Sequence, residues 1–170
     1  MTGIPTRIKD FNVYNDADKL VGVSGEVKLP DFDAVTDKIS GAGILGEIED
    51  PSVGQYGSQE IEIPFRTMST EMFKLFTPTK TAKLTLRGAI QVSGNDSIAY
   101  QQLRIVVCGR PKKITGGTVK AGNAMSSSVT LEVTYFLIEI AGTTVLELDK
   151  LNSVFKVNGI DLLSDVRSMC

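Results

Sequence analysis

Residues 81–110 constrain this chain more than any other stretch: two long alternating runs joined by one tight turn. Ala82, Leu84, Leu86, Ile90 and Val92 share one parity, while Thr81, Lys83, Thr85, Arg87, Gln91 and Ser93 share the other. A period of two marks a strand with one apolar and one polar face. Gly94-Asn95-Asp96 supplies the turn, and the return run extends from Ile98 to Gly109. Each run spans roughly 40 Å at about 3.4 Å per residue, about twice the usual strand length. In the return run Ile98 and Tyr100 are even, whereas Leu103, Ile105 and Val107 are odd. That one-residue shift predicts a β-bulge near Gln101-Gln102. Closing copies of such a hairpin into a barrel would bury its edges and turn its polar face toward a channel.

The flanking sequence reads mostly as further strands. Residues 7–29 predict a hairpin: Ile8, Phe11 and Val13 lead into the turn-rich cluster 15–18, and Val21, Val23, Val27 and Leu29 return on one parity. Residues 31–40 are ambiguous, because Val35 and Ile39 suit either a strand or a helical turn. Residues 41–58 carry five glycines and one proline and read as a long loop. Ile44, Leu45, Ile48, Val53 and Tyr56 make that loop too apolar for a solvated linker. It lies either on a neighbouring subunit or, as an Ω-loop, on its own domain. Ile61, Ile63 and Phe65 share a strand face, and Pro64 puts the end of that strand at an edge. Residues 69–76 predict the one helix, capped by Ser69, with Met72, Phe73, Leu75 and Phe76 as its core stripe and Pro78 as its stop. Residues 112–128 read as a second flexible stretch. Residues 129–140 read as a strong strand with both faces apolar from Phe136 to Ile140, which predicts burial on two sides there. Residues 145–149 pair back, and 150–170 form a C-terminal tail ending in a short amphipathic stretch. The expected fold is mainly β (α+β), a single domain over residues 1–170: a two-sheet β-sandwich or half-barrel with one short helix and the long hairpin.

Composition narrows function by exclusion. The chain has no His, which removes the commonest general base and metal ligand and the usual partner of a Ser or Cys nucleophile. A net charge of −2 argues against a dedicated nucleic-acid binder. Residues 1–100 carry ten basic and fourteen acidic side chains, and 101–170 carry eight and six, a pattern that suits head-to-tail association of copies. No apolar run approaches 18 residues, so no membrane anchor is expected. The stretch 1–9 lacks an apolar signal-peptide core, so synthesis in a cytosol is expected.

The motifs that could carry chemistry fail on context. Residues 41–46 match GxGxxG, but neither a buried strand precedes nor a helix follows, so the glycines are expected to serve a bend. Asp31, Asp33 and Asp37 lack the companion ligands of a calcium loop and read as solvated. Asn95 fits a glycosylation sequon but reads as a turn, and Arg110, Lys112 and Lys113 read as a solvated or partner-facing patch. No catalytic residue, cofactor or metal is expected. Cys108 and Cys170 have no zinc or redox spacing. Both are expected to be free in a cytosol, with an intersubunit disulfide through the terminal Cys170 as a hypothesis for oxidising surroundings.

Taken in order, several short segments resemble the major tail tube proteins of contractile-tailed phages, a family that also supplies the inner tubes of R-type bacteriocins. They are Ile4-Pro5-Thr6-Arg7-Ile8-Lys9, Phe11-Asn12-Val13-Tyr14, Val27-Lys28-Leu29-Pro30, Gly41-Ala42-Gly43 with Gly46-Glu47, Gly109-Arg110-Pro111-Lys112-Lys113-Ile114, Thr134-Tyr135-Phe136 and Lys156-Val157-Asn158-Gly159-Ile160-Asp161. The chain departs from the family in having no Trp, and Phe65, Phe73 and Phe76 are expected to fill that space.

The resemblance implies a non-enzymatic structural subunit. Six copies would form a ring, rings would stack into a tube, and the long hairpins would close into a multi-subunit β-barrel around the lumen. It implies that Gly41, Gly43, Ile44, Leu45, Ile48, Val53 and Tyr56 meet an adjacent ring. With the polar hairpin face inward, Thr81, Lys83, Thr85, Arg87, Gln91 and Ser93 would line the lumen. The partners implied are further copies, a tail sheath protein, a tape-measure protein, and baseplate and tail-terminator proteins. DNA would pass through without specific binding. The location implied is the tail of a virion, assembled in the host cytoplasm. Two other readings stay open: a tube subunit of a related injection system or bacteriocin, and a monomeric β-sandwich binding module.

Overall fold

The computed structural model describes residues 3–170; the first two residues of the N-terminal stretch lie outside the described residues. The chain runs β1 (Ile4–Asn15), β2 (Asp18–Lys19), β3 (Ala34–Ser40), β4 (Glu47–Tyr56), β5 (Glu60–Phe65), α1 (Thr70–Leu75), β6 (Ala82–Ser93) and β7 (Ile98–Thr115). It continues with β8 (Ser127–Ile140), β9 (Thr143–Asp149), β10 (Val154–Val157), β11 (Ile160–Asp161) and α2 (Ser164–Met169).

Nine strands share an antiparallel sheet in the order β11-β10-β9-β8-β7-β6-β1-β2, with β5 paired to β8 off that path. β8 changes partner midway: residues 127–132 pair with β5 and residues 135–140 with β9. This fork lets one face of the sheet close around a core. Ile61, Ile63, Leu84, Val107, Val129, Leu131 and Phe136 are all at most 1% exposed there. Met72 and Leu75 of α1 join them, and Ser69 caps the helix by accepting a hydrogen bond from the Met72 amide at 3.3 Å. The mainly β reading therefore holds, with two corrections: the second sheet is only the two-stranded β3–β4 pair, and α2 in the C-terminal tail adds a second short helix to the one expected. The turns carry left-handed residues as hairpins require: Ala141 (φ 50°) and Gly142 (φ 79°) join β8 to β9, and Asn158 (φ 52°) and Gly159 (φ 80°) join β10 to β11.

Several local expectations are corrected. The N-terminal hairpin closes only at Asp18–Lys19. Leu20 still donates to the Val13 carbonyl at 2.8 Å, but Gly22 (φ 90°) then turns the chain away; the Ser24 amide donates to the Pro64 carbonyl and the Arg66 amide to the Gly22 carbonyl, so residues 23–33 cross the core face instead of pairing with β1. The 41–58 loop is mostly strand: β4 pairs with β3, and only 41–46 turn between them. The flexible 112–128 stretch shrinks, because β7 continues through Lys112 and Lys113 to Thr115. No bulge stands at Gln101-Gln102, since β6 and β7 pair in unbroken register from Ala82↔Gly109 to Ser93↔Ile98. The phase change instead places Ile98 and Tyr100 on the polar face, each 60% exposed. Burial on both faces of β8 occurs at Ser127–Leu131, not at Phe136–Ile140, because β5 and β7 flank the first half where both neighbours run deep. Phe73 points outward at 50% exposure: a six-residue helix buries a narrow stripe, and Met72 and Leu75 occupy it.

Candidate assembly surfaces

The long hairpin presents the first surface. Lys83, Thr85, Arg87, Gln91 and Ser93 stand on the face of β6 opposite the core residues Leu84, Leu86 and Val92, while Thr81 lies one residue before the strand begins. Register adds what alternation alone could not. Cys108 pairs with Lys83, Val106 with Thr85, Arg104 with Arg87 and Tyr100 with Gln91. On β1, Tyr14 lies beside Thr85 and Asn12 beside Arg87. On β8, Tyr135, Leu137 and Glu139 continue the same rows.

This face is charged in both signs and partly tied together. Arg104 pairs with Glu139, and the Arg87 guanidinium sits 5.2 Å from the centre of the Tyr14 ring. The Tyr135 hydroxyl donates to Glu147 at 3.0 Å; burial, reinforced by that carboxylate, pushes the phenol up to about 12. Burial likewise pushes the Cys108 thiol up, and the group is half-buried in a shallow depression of about 320 Å³ with Lys83, Arg104 and Tyr135. Such a thiol is a poor nucleophile. Among the described residues no three His, Cys, Asp or Glu side chains gather as metal ligands. No helix among them is long and apolar enough to cross a membrane.

Further along the sheet, Lys112 of the Arg110–Lys113 patch is taken up within the subunit, while Arg110 and Lys113 stay exposed. Lys112 bridges Glu60 and Glu132, and Ser58 donates to Glu132 at 2.7 Å. Burial pushes the Glu132 carboxyl up, but the hydrogen bonds from Ser58 and Lys112 outweigh it and hold the group below its ordinary value.

The second surface is the β3–β4 arm. Its strands pair only with each other, and Lys38 and Glu47 form an ion pair near the tip at 3.0 Å. Gly41, Gly43 and Gly46 all have positive φ, so the glycine-rich tip serves a turn as expected. Of the residues assigned to a neighbour, Leu45 is fully exposed, Ile48 and Val53 more than half exposed, and Ile44 half-buried. Tyr56 is engaged at home: its ring packs edge-on against Phe32 and Phe155 at 5.3 and 5.5 Å. Gly54 (φ 75°) lies against Leu163 and Phe155, so the arm is rooted on the C-terminal end of the sheet. Cys170 is exposed beyond α2, which an Asp161–Arg167 ion pair and a 3.0 Å bond from Arg167 to the Ser153 carbonyl hold in place.

The described residues thus form a curled sheet with one largely covered face, one open face and an apolar arm that is rooted at its base but pairs with no other strand. Comparison with known proteins gives the class its name. The family model of phage tail tube protein FII matches residues 5–169, and the chain belongs to that family. It is 26% identical over 170 residues to the tail tube protein of Escherichia phage P2, covering 96% of each chain. It is 24% identical to the major tail tube protein of Serratia phage KSP20, covering 95% of this chain and 93% of the relative. Among solved structures, its fold resembles a chain from an extracellular contractile injection system, the PVC sheath/tube terminator in the extended state. There the TM-score is 0.58 at 16% identity, over 82% of this chain and 99% of that one. A chain of the PVC sheath–tube complex matches with a TM-score of 0.53 at 14% identity, over 79% and 91%.

Proposed function

We propose that this chain is the structural subunit of the inner tube of a contractile phage tail, a component of the virion assembled in the host cytoplasm. One observation carries the reading: the tail tube family match runs almost end to end over a sheet whose open face is lined by the long hairpin. Copies form six-membered rings that stack into a rigid hollow conduit. The open face, with Lys83, Arg87, Gln91 and Ser93, lines the lumen; Thr85 shares that face but is buried at 5% exposure, and Thr81 stands at its margin. Mixed charges there let DNA slide without being held, because retention would need a surplus of Lys and Arg. The arm residues Gly41, Gly43, Ile44, Leu45, Ile48 and Val53 meet the next ring. The outer wall meets the sheath, a tape-measure protein occupies the lumen before DNA does, and baseplate and terminator proteins cap the ends. The role is mechanical and non-enzymatic: rigidity comes from continuous β-pairing between subunits. Where the particle meets oxidising surroundings, Cys170 forms an intersubunit disulfide; non-reducing electrophoresis of mature particles that yields monomer alone would rule this out.

The solved structures support a second reading, a tube subunit of a related contractile injection system or bacteriocin. Electron microscopy of the purified protein across a concentration series, with mass measurement on the same samples, tests the proposal. Hollow tubes or six-membered rings are expected. A strictly monodisperse monomer throughout would leave two options, a subunit that awaits an initiator complex or a monomeric binding module.

A further inference from the structure

We propose that the outer edge of β5, at Glu60 and Glu62, takes an extended Lys- or Arg-bearing segment of a different protein as an added strand. The inference goes beyond the tube reading and does not depend on it.

The main chain of β5 is fully paired on one side only. The Val133 amide donates to the Gln59 carbonyl at 2.9 Å, so the odd residues of this strand exchange hydrogen bonds with β8. The amides and carbonyls of Glu60 and Glu62, and the carbonyl of Pro64, therefore point the other way. Pro64 is satisfied there: its carbonyl accepts from the Ser24 amide at 2.9 Å, beside the bridge Val23↔Phe65. Among the described residues, no backbone group meets Glu60 or Glu62 on that side. The reason is a mismatch in length. Between the bridge Val23↔Phe65 and the pair Ala34↔Tyr56 lie residues 24–33 on one side and 57–64 on the other, ten against eight. The longer side bows away from β5. It is kept from closing again, because Val27, Leu29 and Phe32 pack against the core and Pro30 has no N–H to offer. What remains is a slot made of two depressions, about 480 and 330 Å³, that share Lys28 and Glu62.

The occupant follows from the lining. Unpaired main-chain groups on a strand edge bind an extended peptide by strand addition. Charge then selects the sequence of that peptide. Glu26, Asp31, Asp33 and Glu62 line the slot and form no ion pair among the described residues, against two unpaired cations there, Lys28 and Lys113. Glu60 is already bridged by Lys112. The wall also holds Gln59, 4% exposed, whose Nε2 donates to the Asp31 carbonyl at 2.8 Å while its Oε1 has no partner. The lining is thus rich in acceptors and short of donors. Cationic side chains at alternate positions of a regular strand supply what is missing, standing across from Glu62 and its neighbours. A second copy is a poor occupant. The chain's own basic runs Arg7–Lys9 and Arg110–Lys113 are broken by register shifts, at Pro5/Arg7 and Ile8/Asp10 in β1 and at Pro111/Lys113 in β7.

The test is amide exchange, followed by NMR on the unassembled full chain, with a blocked peptide of alternating Lys and Thr as the probe. Before peptide is added, the Glu60 and Glu62 amides are expected to exchange at least about tenfold faster than those of Ile61 and Ile63, which bond to β8. Peptide at about ten times its Kd should slow the same two amides about tenfold. Glu62→Pro removes a donor that the ladder does not use, so the chain should fold yet bind at least about fivefold more weakly. Glu62→Lys, at an exposed position, should weaken binding by a similar factor and decides the matter if the proline variant fails to fold. The inference is overturned if Glu60 and Glu62 are as protected as Ile61 and Ile63 in the free chain, or if the Lys–Thr peptide slows neither. Equal slowing by a peptide of alternating Glu and Thr overturns it too. So does slowing on self-assembly without peptide, which makes a second copy the occupant. Electron microscopy of the parent chain decides the tube reading separately.

Discussion

The long hairpin β6–β7 and the arm β3–β4 are built on the same antiparallel plan, yet they live in opposite energetic circumstances. The hairpin pairs in unbroken register over twelve positions and is flanked by β1 and β8. Leu84 and Val107 on its inner face are fully buried. Among the described residues the arm has no third strand, its register slips between Ala34 and Thr36, and Val35, Ile48 and Val53 remain at least half exposed. An isolated two-stranded hairpin is marginal in water. The difference teaches that the arm's order must come from its rooting on Phe155 and Leu163 and from whatever its apolar residues meet outside the subunit.

The largest expected effect is in hydrogen exchange on the unassembled chain. Amides of β3 and of β4 as far as Val53 should exchange at least about a thousandfold faster than those in the middle of β6 and β7, because local opening there uncovers no buried residue. Equal protection would break the comparison, and a gain of protection confined to the arm on assembly would sharpen it. Next in size, Leu84→Ala should cost about 2–5 kcal/mol in urea unfolding, whereas Val53→Ala should stay within about 0.5 kcal/mol. A smaller loss, about 1–3 kcal/mol, is expected for Gly109→Ala, since a Cβ there collides with the Glu132 carbonyl where β7 and β8 shift register. An unchanged urea midpoint would show that the β7–β8 register can yield at that point.

The smallest effect concerns pH at the root of the arm. Hydrogen bonds from Arg167, with help from the Leu163 amide, hold the Asp161 carboxyl below its ordinary 3.8. A depressed carboxyl pKa stabilises the fold fully above the unfolded value, and the contribution disappears as pH falls through the lower folded value. Acidification below about pH 3.8 should therefore loosen α2 before the main sheet, read as protease sensitivity of the tail. Asp161→Asn should produce the same loosening at neutral pH, and identical tail cleavage at pH 3 and pH 6 in the parent chain would contradict the assignment.

Much of the fold was legible in the residues themselves. Alternation located β6, most of β7, β5 and β8, and Ser69 with Pro78 bounded α1, because these signals are local: a side-chain period of two and a capped helical turn depend on a few neighbouring residues. The five glycines of residues 41–58 hid a strand, since a glycine count cannot say whether positive φ falls at the tip, as at Gly43 and Gly46, or inside a strand, as at Gly54. The apparent bulge at Gln101-Gln102 was a similar misreading. It assumed that apolar residues must share the core face, whereas Ile98 and Tyr100 stand on the open face of a strand whose tip has little core to join.

By itself, then, the sequence determined the β-rich class, the long two-faced hairpin, the apolar arm and, through ordered short motifs, the tail tube family. Only the tertiary structure decided which rows meet across strands, placing Arg104 with Glu139, Tyr14 under Arg87 and Tyr135 on Glu147. It alone revealed that Tyr56 is taken up inside the subunit and that a slot opens beside Glu60 and Glu62. The physical reason is range. Periodicity is written along the chain, but register and cover depend on partners tens of residues away, and a shift of one residue exchanges every inward side chain for an outward one.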